Sequence, residues 1–295
     1  MAAIDATLAL DARGELLEGP VWDSNTGCLY FVDIMRGCVH AWDPTKTMHR
    51  TYDVSAQVGS VGAAALSERD DLVLAVRDGF ARLNPRTGIV SKIADVEADR
   101  PNQRMNDGNV DPTGRFWAGT MALDETPGAG SLYRLDCDGS VRAMLGGVTI
   151  SNGIDWSADR ETMYYIDSPT RRIDMFEFDE ATGAISNRRT LAPIAPQHGI
   201  PDGLTVDAEG CIWVALWRGG AVHRYTPLGL LDAIVRVDAA CPTSCAFGGA
   251  DLRDLFITTA AIELSDRERA EQPLAGGLFV CRPGVAGRAP NRFRG

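Results

Sequence analysis

Six segments of the chain repeat one pattern, and their spacing limits the possible folds more than any other feature does. Each copy begins with a small or polar residue and a second small residue, followed by an apolar run, a polar turn and another strand-like run. The second residues of the copies are Gly19, Gly62, Gly108, Gly153, Gly203 and Cys245. They are 42 to 50 residues apart, close to the roughly 40 to 50 residues of a four-stranded propeller blade. The repeat therefore predicts six blades.

A third strand-like run follows each copy, and several of these runs end in a turn into a fourth. We predict an all-β fold: a six-bladed β-propeller of four-stranded antiparallel blades around a central, metal-containing channel, as one domain over residues 1–295. Residues 6–11 should be the outer strand that closes the last blade. A parallel α/β domain would need helices of ten or more residues between strands, and only the charged residues 265–272 suggest a helical turn. A β-sandwich of this length would need two domains, and no linker is present.

The composition argues against several classes of function. A net charge of −11 with scattered Lys and Arg residues does not suit a nucleic-acid partner. No apolar run approaches the roughly 20 residues of a membrane span, and the first residues are acidic where a signal peptide would be basic. We expect a cytoplasmic monomer with a small-molecule partner, no nucleic acid and no membrane. The seven cysteines should be reduced thiols, with Cys245 buried and structural.

The first residues of the copies are mostly polar, and this has a consequence in a propeller. They are Glu18, Val61, Asp107, Asn152, Asp202 and Ser244, and Asn106 lies beside one of them. The first strand of each blade lines the channel, so these residues should converge at one of its ends. Several acids and an amide at one level would repel each other or stay unsatisfied without a cation. Oxygen ligands favour calcium, magnesium, manganese, iron(II) or zinc; the alternative is that each Asp or Asn merely forms a turn before its glycine.

Motifs spread over the chain carry a resemblance to a known family. They include LLEGPVW, RMNDGNVDPTGRFWAGTM, ISNGIDWSADRETMYYIDS, IPDGLTVDAEGCIWVA, PTSCAFGG and PLAGGLFV. From about residue 15 onward the chain resembles the senescence marker protein/gluconolactonase family, which includes regucalcin and bacterial sugar lactonases. The resemblance implies a six-bladed propeller that binds one divalent metal in its channel and hydrolyses the ring ester of aldonolactones. The family's metal ligands match Glu18, Asn152 and Asp202.

The resemblance also implies which residues contact the substrate. The matching positions are Arg104 and Asn106 in RMND, and an acidic residue shortly after GTM. At that position the chain has Asp124, where regucalcin has glutamate, and Glu125 follows directly. Because aspartate is one methylene shorter, the sugar hydroxyl that it recognises would differ. Either residue could instead belong to a charged loop tip.

A serine nucleophile is not indicated, because the chain has no G-x-S-x-G motif. A metal that polarises the lactone carbonyl and acidifies water supplies most of what hydrolysis needs. In this hypothesis Asp202 or another nearby carboxylate takes the proton of the water, while Arg104 and Asn106 bind sugar hydroxyls or the oxyanion. The alternatives are a calcium-binding regulatory protein of the regucalcin type, a propeller esterase acting on other esters or phosphotriesters, and an interaction scaffold.

Overall fold

The computed structural model describes residues 3–46, 48–55 and 61–295. Their strands form six sheets, antiparallel except for one strand pair. The inner strand of each sheet contacts the inner strands of the two neighbouring sheets. This closed ring of inner strands confirms the predicted six-bladed β-propeller. We number the sheets as blades 1 to 6 in chain order.

The first three blades take their strands from consecutive segments. Blade 1 contains β3 (Leu17–Asp23), β4 (Cys28–Asp33), β5 (Cys38–Asp43) and β6 (Met48–Asp53). Blade 2 contains β7 (Val61–Leu66), β8 (Leu72–Val76), β9 (Gly79–Leu83) and β10 (Val90–Asp95). Blade 3 contains β11 (Gln103–Val110), β12 (Phe116–Ala122), β13 (Gly130–Leu135) and β14 (Val141–Val148).

The last two blades also use strands from the start of the chain. Blade 4 contains β15 (Ser151–Trp156), β16 (Thr162–Asp167), β17 (Arg172–Phe178) and β18 (Ile185–Pro193). Blade 5 contains β19 (Ile200–Val206), β20 (Ile212–Trp217), β21 (Ala221–Tyr225), β22 (Leu231–Arg236) and β1 (Ala3–Asp5). Blade 6 contains β23 (Pro242–Gly248), β24 (Asp254–Thr259), β25 (Leu278–Cys281) and β2 (Thr7–Leu10).

The ring is closed by the first strands of the chain. The strand β2 pairs antiparallel with β25, as predicted for residues 6–11, so blade 6 combines both ends of the sequence. The strand β1 was not predicted: it runs parallel to β22 and adds a fifth strand to blade 5. The pairing of β2 with β25 joins the start of the chain to the last blade and so holds the ring closed by hydrogen bonds.

Burial decreases from the channel outward. Every residue of β7 and β15 is buried, whereas most residues of the outer strands β6 and β18 are exposed. The apolar core lies between neighbouring blades, where side chains of adjacent sheets pack face to face. Blades 1 and 2, for example, share a cluster that contains Val32, Val39, Leu74 and Leu83. The blades therefore hold the inner strands rigidly around the channel.

A register shift interrupts strand pairing near the start of every inner strand. The shifts lie between Glu18 and Val21, Val61 and Ala63, Met105 and Gly108, Ser151 and Ile154, Pro201 and Leu204, and Pro242 and Ser244. Such bulges leave residues out of the ladder and change where their side chains point. Asn106, Asn152 and Asp202 lie inside these gaps, at one end of the channel, which we call the mouth.

Three connections near the mouth contain helical turns. The 3₁₀ turns Ser168–Thr170 and Pro196–His198 follow β16 and precede β19. Helix α1 (Asp266–Glu271) lies between β24 and β25 and begins with a capping box formed by Ser265 and Glu268. This helix confirms the turn predicted at 265–272. None of the helices in the described part of the chain has the length and apolar character needed to cross a membrane.

The last residues of the chain run across the propeller at the end opposite the mouth. Gly287 forms a bridge with Asp207 of blade 5, and Asn291 donates to the carbonyl of Val110 in blade 3. Phe293 is buried in the cluster between blades 2 and 3. This C-terminal segment therefore ties together blades that are distant along the sequence.

Candidate active site in the central channel

Glu18, Asn152 and Asp202 lie near the starts of three inner strands, β3, β15 and β19, and are buried with exposed fractions of 5, 5 and 6%. The glycines that follow two of them are required by the closeness of the next inner strand. A Cβ at Gly153 would lie 2.8 Å from the carbonyl oxygen of Asp202. A Cβ at Gly203 would lie 2.2 Å from Oγ of Ser244. Tight packing of the inner strands thus explains the repeated polar residue and glycine.

Blade 3 places two polar residues in the gap of its inner strand. Counted from the register shift, Asn106 rather than Asp107 occupies the position of Asn152 and Asp202. The sequence repeat had aligned Asp107 with them because it was anchored on the residue before each glycine; the three bulges leave two residues unpaired in each strand, and Asp107 stands at the position of Gly153 and Gly203. Asp107 instead lines the channel next to Gly108, whose backbone N–H donates to its Oδ1 over 2.7 Å.

Hydrogen bonds connect the predicted substrate contacts to a predicted metal ligand. Nη1 of Arg104 donates to Oδ1 of Asn106 over 2.6 Å. Nδ2 of Asn106 donates to Oδ1 of Asn152 over 3.1 Å, and Nδ2 of Asn152 donates to Oγ of Ser168 over 2.8 Å. Ser168 in turn donates to the carbonyl oxygen of Pro201, the residue before Asp202, over 2.7 Å. One continuous chain of hydrogen bonds therefore runs from blade 3 through blade 4 to blade 5.

The carboxylates at the mouth are in an environment that disfavours their charge. Burial, followed by the charges of Asp202 and Asp107, raises the pKa of Glu18. Burial and then the charge of Asp107 raise the pKa of Asp202, and burial raises the pKa of Asp107 to about 6. Burial also lowers the pKa of Arg104 to about 10, although Glu18 and Asp202 act in the opposite direction. One guanidinium thus faces several carboxylates in a region with little solvent.

The residues at the mouth suit a divalent cation. Oδ1 of Asp202 is buried and accepts no hydrogen bond from any described residue, and an unpaired buried charge is costly unless a cation compensates it. Within residues 3–46, 48–55 and 61–295, no three or more His, Cys, Asp and Glu side chains form a group that could hold a metal. The candidate site would have two carboxylate ligands, Glu18 and Asp202, and its third ligand would be the amide oxygen of Asn152.

A cavity of about 290 Å³ occupies the channel beyond the mouth. Its polar lining includes Asp107, Asn109, Asp155 and Ser244, and Arg288 of the C-terminal segment lies at its far end. Arg288 contacts Asp155, with 3.3 Å between Nη2 and Oδ1. The channel therefore continues as a polar chamber; Asp107 lines it, whereas Glu18, Asn152 and Asp202 do not.

The loop 123–129 between β12 and β13 contains both candidate acidic contacts, and the structure distinguishes their environments. Asp124 is exposed, and its Oδ1 accepts bonds from the backbone N and the Oγ1 of Thr126 over 3.2 and 2.8 Å. The charge of Glu125 raises the pKa of Arg104. Glu125 also has a positive φ of 54°, which is uncommon for a residue other than glycine. Both residues are exposed, and Asp124 bonds to Thr126 while the charge of Glu125 raises the pKa of Arg104, so both stay candidates for the substrate contact.

Ser168 and Cys245 also lie beside the channel. Ser168 lies within the quoted motif ISNGIDWSADRETMYYIDS and begins the connection between β16 and β17; the repeat pointed to the starts of the inner strands and therefore not to this residue. Cys245 is buried at the channel wall, as predicted, and burial raises the pKa of its thiol. All seven cysteines are free, and Cys137 is exposed while the other six are buried.

These features define a class of protein: a six-bladed β-propeller with carboxylates and amides gathered at one end of its central channel. The family model described as "SMP-30/Gluconolactonase/LRE-like region" matches residues 16–261. The chain belongs to this family, which confirms the resemblance found in the sequence.

Similar proteins match the chain over its full length. Regucalcin of Xenopus laevis is 40% identical over 302 residues, covering 100% of both chains. YvrE of Bacillus subtilis, which is provisionally named a sugar lactone lactonase, is 38% identical over 293 residues, with 99% of each chain covered. The crystal structure of a calcium-binding protein, regucalcin, from Agrobacterium tumefaciens has a TM-score of 0.94 and 28% identity, covering 100% of this chain and 99% of that one.

Proposed function

We propose that the protein hydrolyses the ring ester of sugar aldonolactones, as a step of sugar catabolism, with one divalent cation held by Glu18, Asn152 and Asp202. The observation that carries this proposal is the buried, unpartnered Oδ1 of Asp202 close to a second buried carboxylate and an arginine. The provisional lactonase name of the Bacillus subtilis relative and the calcium-binding description of the Agrobacterium structure support it.

When bound, a divalent cation would polarise the ester carbonyl and lower the pKa of water at this site. Among the described residues, Arg104 uses only Nη1 in its hydrogen bonds, with Asn106 and the carbonyl of Met105. Its remaining guanidinium nitrogens can donate to a sugar hydroxyl or to the developing oxyanion. Asp202 is the proposed general base: with Oδ1 assigned to the cation, the other oxygen of its carboxylate would accept the proton of the attacking water.

The residues proposed to orient the substrate lie at the edge of the mouth. Asn106 holds Arg104 in place through Oδ1, and the charge of Glu125, in the loop 123–129, raises the pKa of the same guanidinium. A carboxylate at this position accepts hydrogen bonds from sugar hydroxyls and excludes analogues that lack them. Asp124, the residue matched by counting along the sequence, remains a second candidate for this contact.

The experiment is proton release from gluconolactone, xylonolactone, arabinonolactone and galactonolactone, corrected for spontaneous opening. The protein is freed of metal with a chelator and assayed alone and after addition of calcium, zinc, manganese, magnesium or iron(II). We expect turnover only with an added cation, and none with Asp202→Ala. Asp138→Ala is the control, because Asp138 is exposed and bonds only within its own turn to Ser140.

Each alternative function gives a different result in this assay. A calcium-binding regulatory protein would bind calcium and leave every lactone at its spontaneous rate. A propeller esterase of another kind would hydrolyse phosphotriesters or simple esters faster than any of the four lactones. Turnover that persists in the chelated protein would contradict the assigned role of the cation.

A further inference from the structure

Ser168 is the last side chain in the hydrogen-bonded chain at the mouth, and the proposed function does not use it. It begins the 3₁₀ turn Ser168–Thr170 and is buried, with 4% of its surface exposed. Its Oγ lies 2.8 Å from Nδ2 of Asn152 and 2.7 Å from the carbonyl oxygen of Pro201. The hydroxyl therefore links an amide of blade 4 to the backbone of blade 5.

The partners of this hydroxyl determine which end of the Asn152 amide faces it. A backbone carbonyl accepts hydrogen bonds but cannot donate, so the single hydroxyl proton of Ser168 must go to Pro201. The Oγ can then only accept from Asn152, and the group of Asn152 that faces Ser168 must be its NH₂. The positions of the Ser168 hydroxyl and the Pro201 carbonyl therefore decide which end of the Asn152 amide is nitrogen and which is oxygen.

The opposite end of the chain leads independently to the same orientation. A guanidinium only donates, so Arg104 fixes the group of Asn106 that it contacts as the oxygen. The NH₂ of Asn106 then faces the carbonyl of Ser151, which is 2.8 Å away and only accepts, and also faces Asn152. Asn152 must therefore present its oxygen to Asn106. A reversed Asn152 amide would bring two NH₂ groups together and leave the Oγ of Ser168 without a donor.

We infer that Ser168 is a positioning residue that orients Asn152, so that the amide oxygen, and not the NH₂, is presented to the cation site. The inference rests on the proposed cation site and concerns the residues of this chain that prepare it. Groups that orient a metal ligand from behind typically change metal affinity by about 10- to 100-fold when they are removed. The effect should appear in binding of the metal itself, before any substrate is added.

The first test compares Ser168→Ala with Thr170→Ala, a matched control in the same turn. Thr170 donates from Oγ1 to the carbonyl of Asp167 over 2.7 Å and has no bond to the chain at the mouth. Metal-free proteins are titrated with Ca²⁺ and with Mn²⁺ by isothermal titration calorimetry. We expect Ser168→Ala to weaken binding of both ions about tenfold or more, and Thr170→Ala to leave it as in the wild type.

A double-mutant cycle separates orientation from general damage. Both oxygens of a carboxylate can bind a cation, so Asn152→Asp removes the need to choose an orientation. In the Asn152→Asp background, Ser168→Ala should weaken Ca²⁺ binding by less than about threefold, well below its effect in the wild-type background. Equal losses in the two backgrounds would overturn the inference, because an unspecific structural effect would not depend on the residue at position 152.

Ser168→Cys provides a second variant if the alanine protein does not fold. Its thiol has a similar size to the hydroxyl but is a weaker acceptor. The Ca²⁺ affinity should therefore lie below that of the wild type and above that expected when no group at position 168 accepts from Asn152. Wild-type affinity in a folded Ser168→Cys protein would contradict the inference. If the wild type binds neither Ca²⁺ nor Mn²⁺, the proposed cation site fails and the role of Ser168 fails with it. If the wild type binds them and Ser168→Ala binds equally well, only the role of Ser168 is refuted.

Discussion

The charge of Asp202 raises the pKa of Glu18, although the two residues lie on inner strands two blades apart in the ring. Burial is the larger cause for both carboxylates, and Asp107 adds to it. The metal-free mouth therefore holds like charges in a region with little solvent, which lowers the stability of the fold at neutral pH. We therefore expect each carboxylate that binds the cation to lower the stability of the fold when the cation is absent.

Asp202→Asn tests this relation directly. Removal of one buried charge should raise the melting temperature of the metal-free protein by about 2 °C or more, because Glu18 and Asp107 lose a repulsive neighbour. The rise on addition of Ca²⁺ should disappear, and lactone turnover should fall by about 100-fold or more. Differential scanning calorimetry with and without Ca²⁺ measures the first two effects. A metal-free variant that melts below the wild type would contradict the electrostatic account, and Asp138→Asn on the surface is the control.

The loop 123–129 provides a prediction on specificity. Glu125→Gln should reduce kcat/KM for the preferred lactone by about tenfold, as expected for loss of one charge-assisted hydrogen bond, and should flatten the preference among epimers. Asp124→Asn should have a smaller effect, because the Asp124 carboxylate already accepts two bonds from Thr126 within the exposed loop. Steady-state kinetics on the four aldonolactones measure both variants. A larger effect at Asp124 would restore the assignment made by counting along the sequence.

The repeat in the sequence was sufficient to predict the blades and the convergence of their inner strands. A period of 42 to 50 residues is a property of the chain itself, and a ring of similar sheets is the structure that such a period favours. The closing strand β2 could also be predicted, because a blade with three strands from the end of the chain needs a fourth. The strand β1 has three residues and carries too short a pattern to predict its parallel pairing with β22.

The details of the site depended on how the copies were aligned and on contacts that form only in the folded ring. The strands β11, β15 and β19 have bulges of the same size, and counting from these bulges places Asn106 at the position of Asn152, whereas alignment on the residue before glycine had placed Asp107 there. Ser168 reaches Asn152 from the connection between β16 and β17, whereas the repeat pointed only to the starts of the inner strands. The bonds of Asn106 to Asn152 and of Ser168 to Pro201 each join neighbouring blades, so only the folded ring brings these partners within hydrogen-bonding distance.

Phe293 near the C-terminus should contribute strongly to stability. It is 1% exposed and packs with Phe80, Val110 and Phe116 between blades 2 and 3, and its backbone N–H donates to the carbonyl of Leu66. Phe293→Ala should lower the free energy of unfolding by about 3 to 5 kcal/mol, measured by urea denaturation. Arg294→Ala is the matched control: its ion pair with Glu68 is about half exposed on both sides and should contribute about 1 kcal/mol or less. Equal losses would show that the segment acts through its backbone alone.

Two buried histidines predict how stability depends on pH. Burial, and then the neighbouring His49, lowers the pKa of His40 to about 4, and burial followed by His198 does the same for His223. Both values lie below the ordinary 6.5, so the unfolded chain takes up protons between about pH 6.5 and 4 that the folded chain does not. Stability is therefore full above pH 6.5 and falls as the pH is lowered through this window, by up to about 3 kcal/mol for each histidine.

His40→Phe keeps the stacking on Phe31 and removes one titrating group, so the free energy of unfolding should fall less between pH 7.5 and 4.5 than it does in the wild type. Urea denaturation at several pH values measures this slope, and an unchanged slope would show that His40 is protonated in the folded protein as readily as in the unfolded chain.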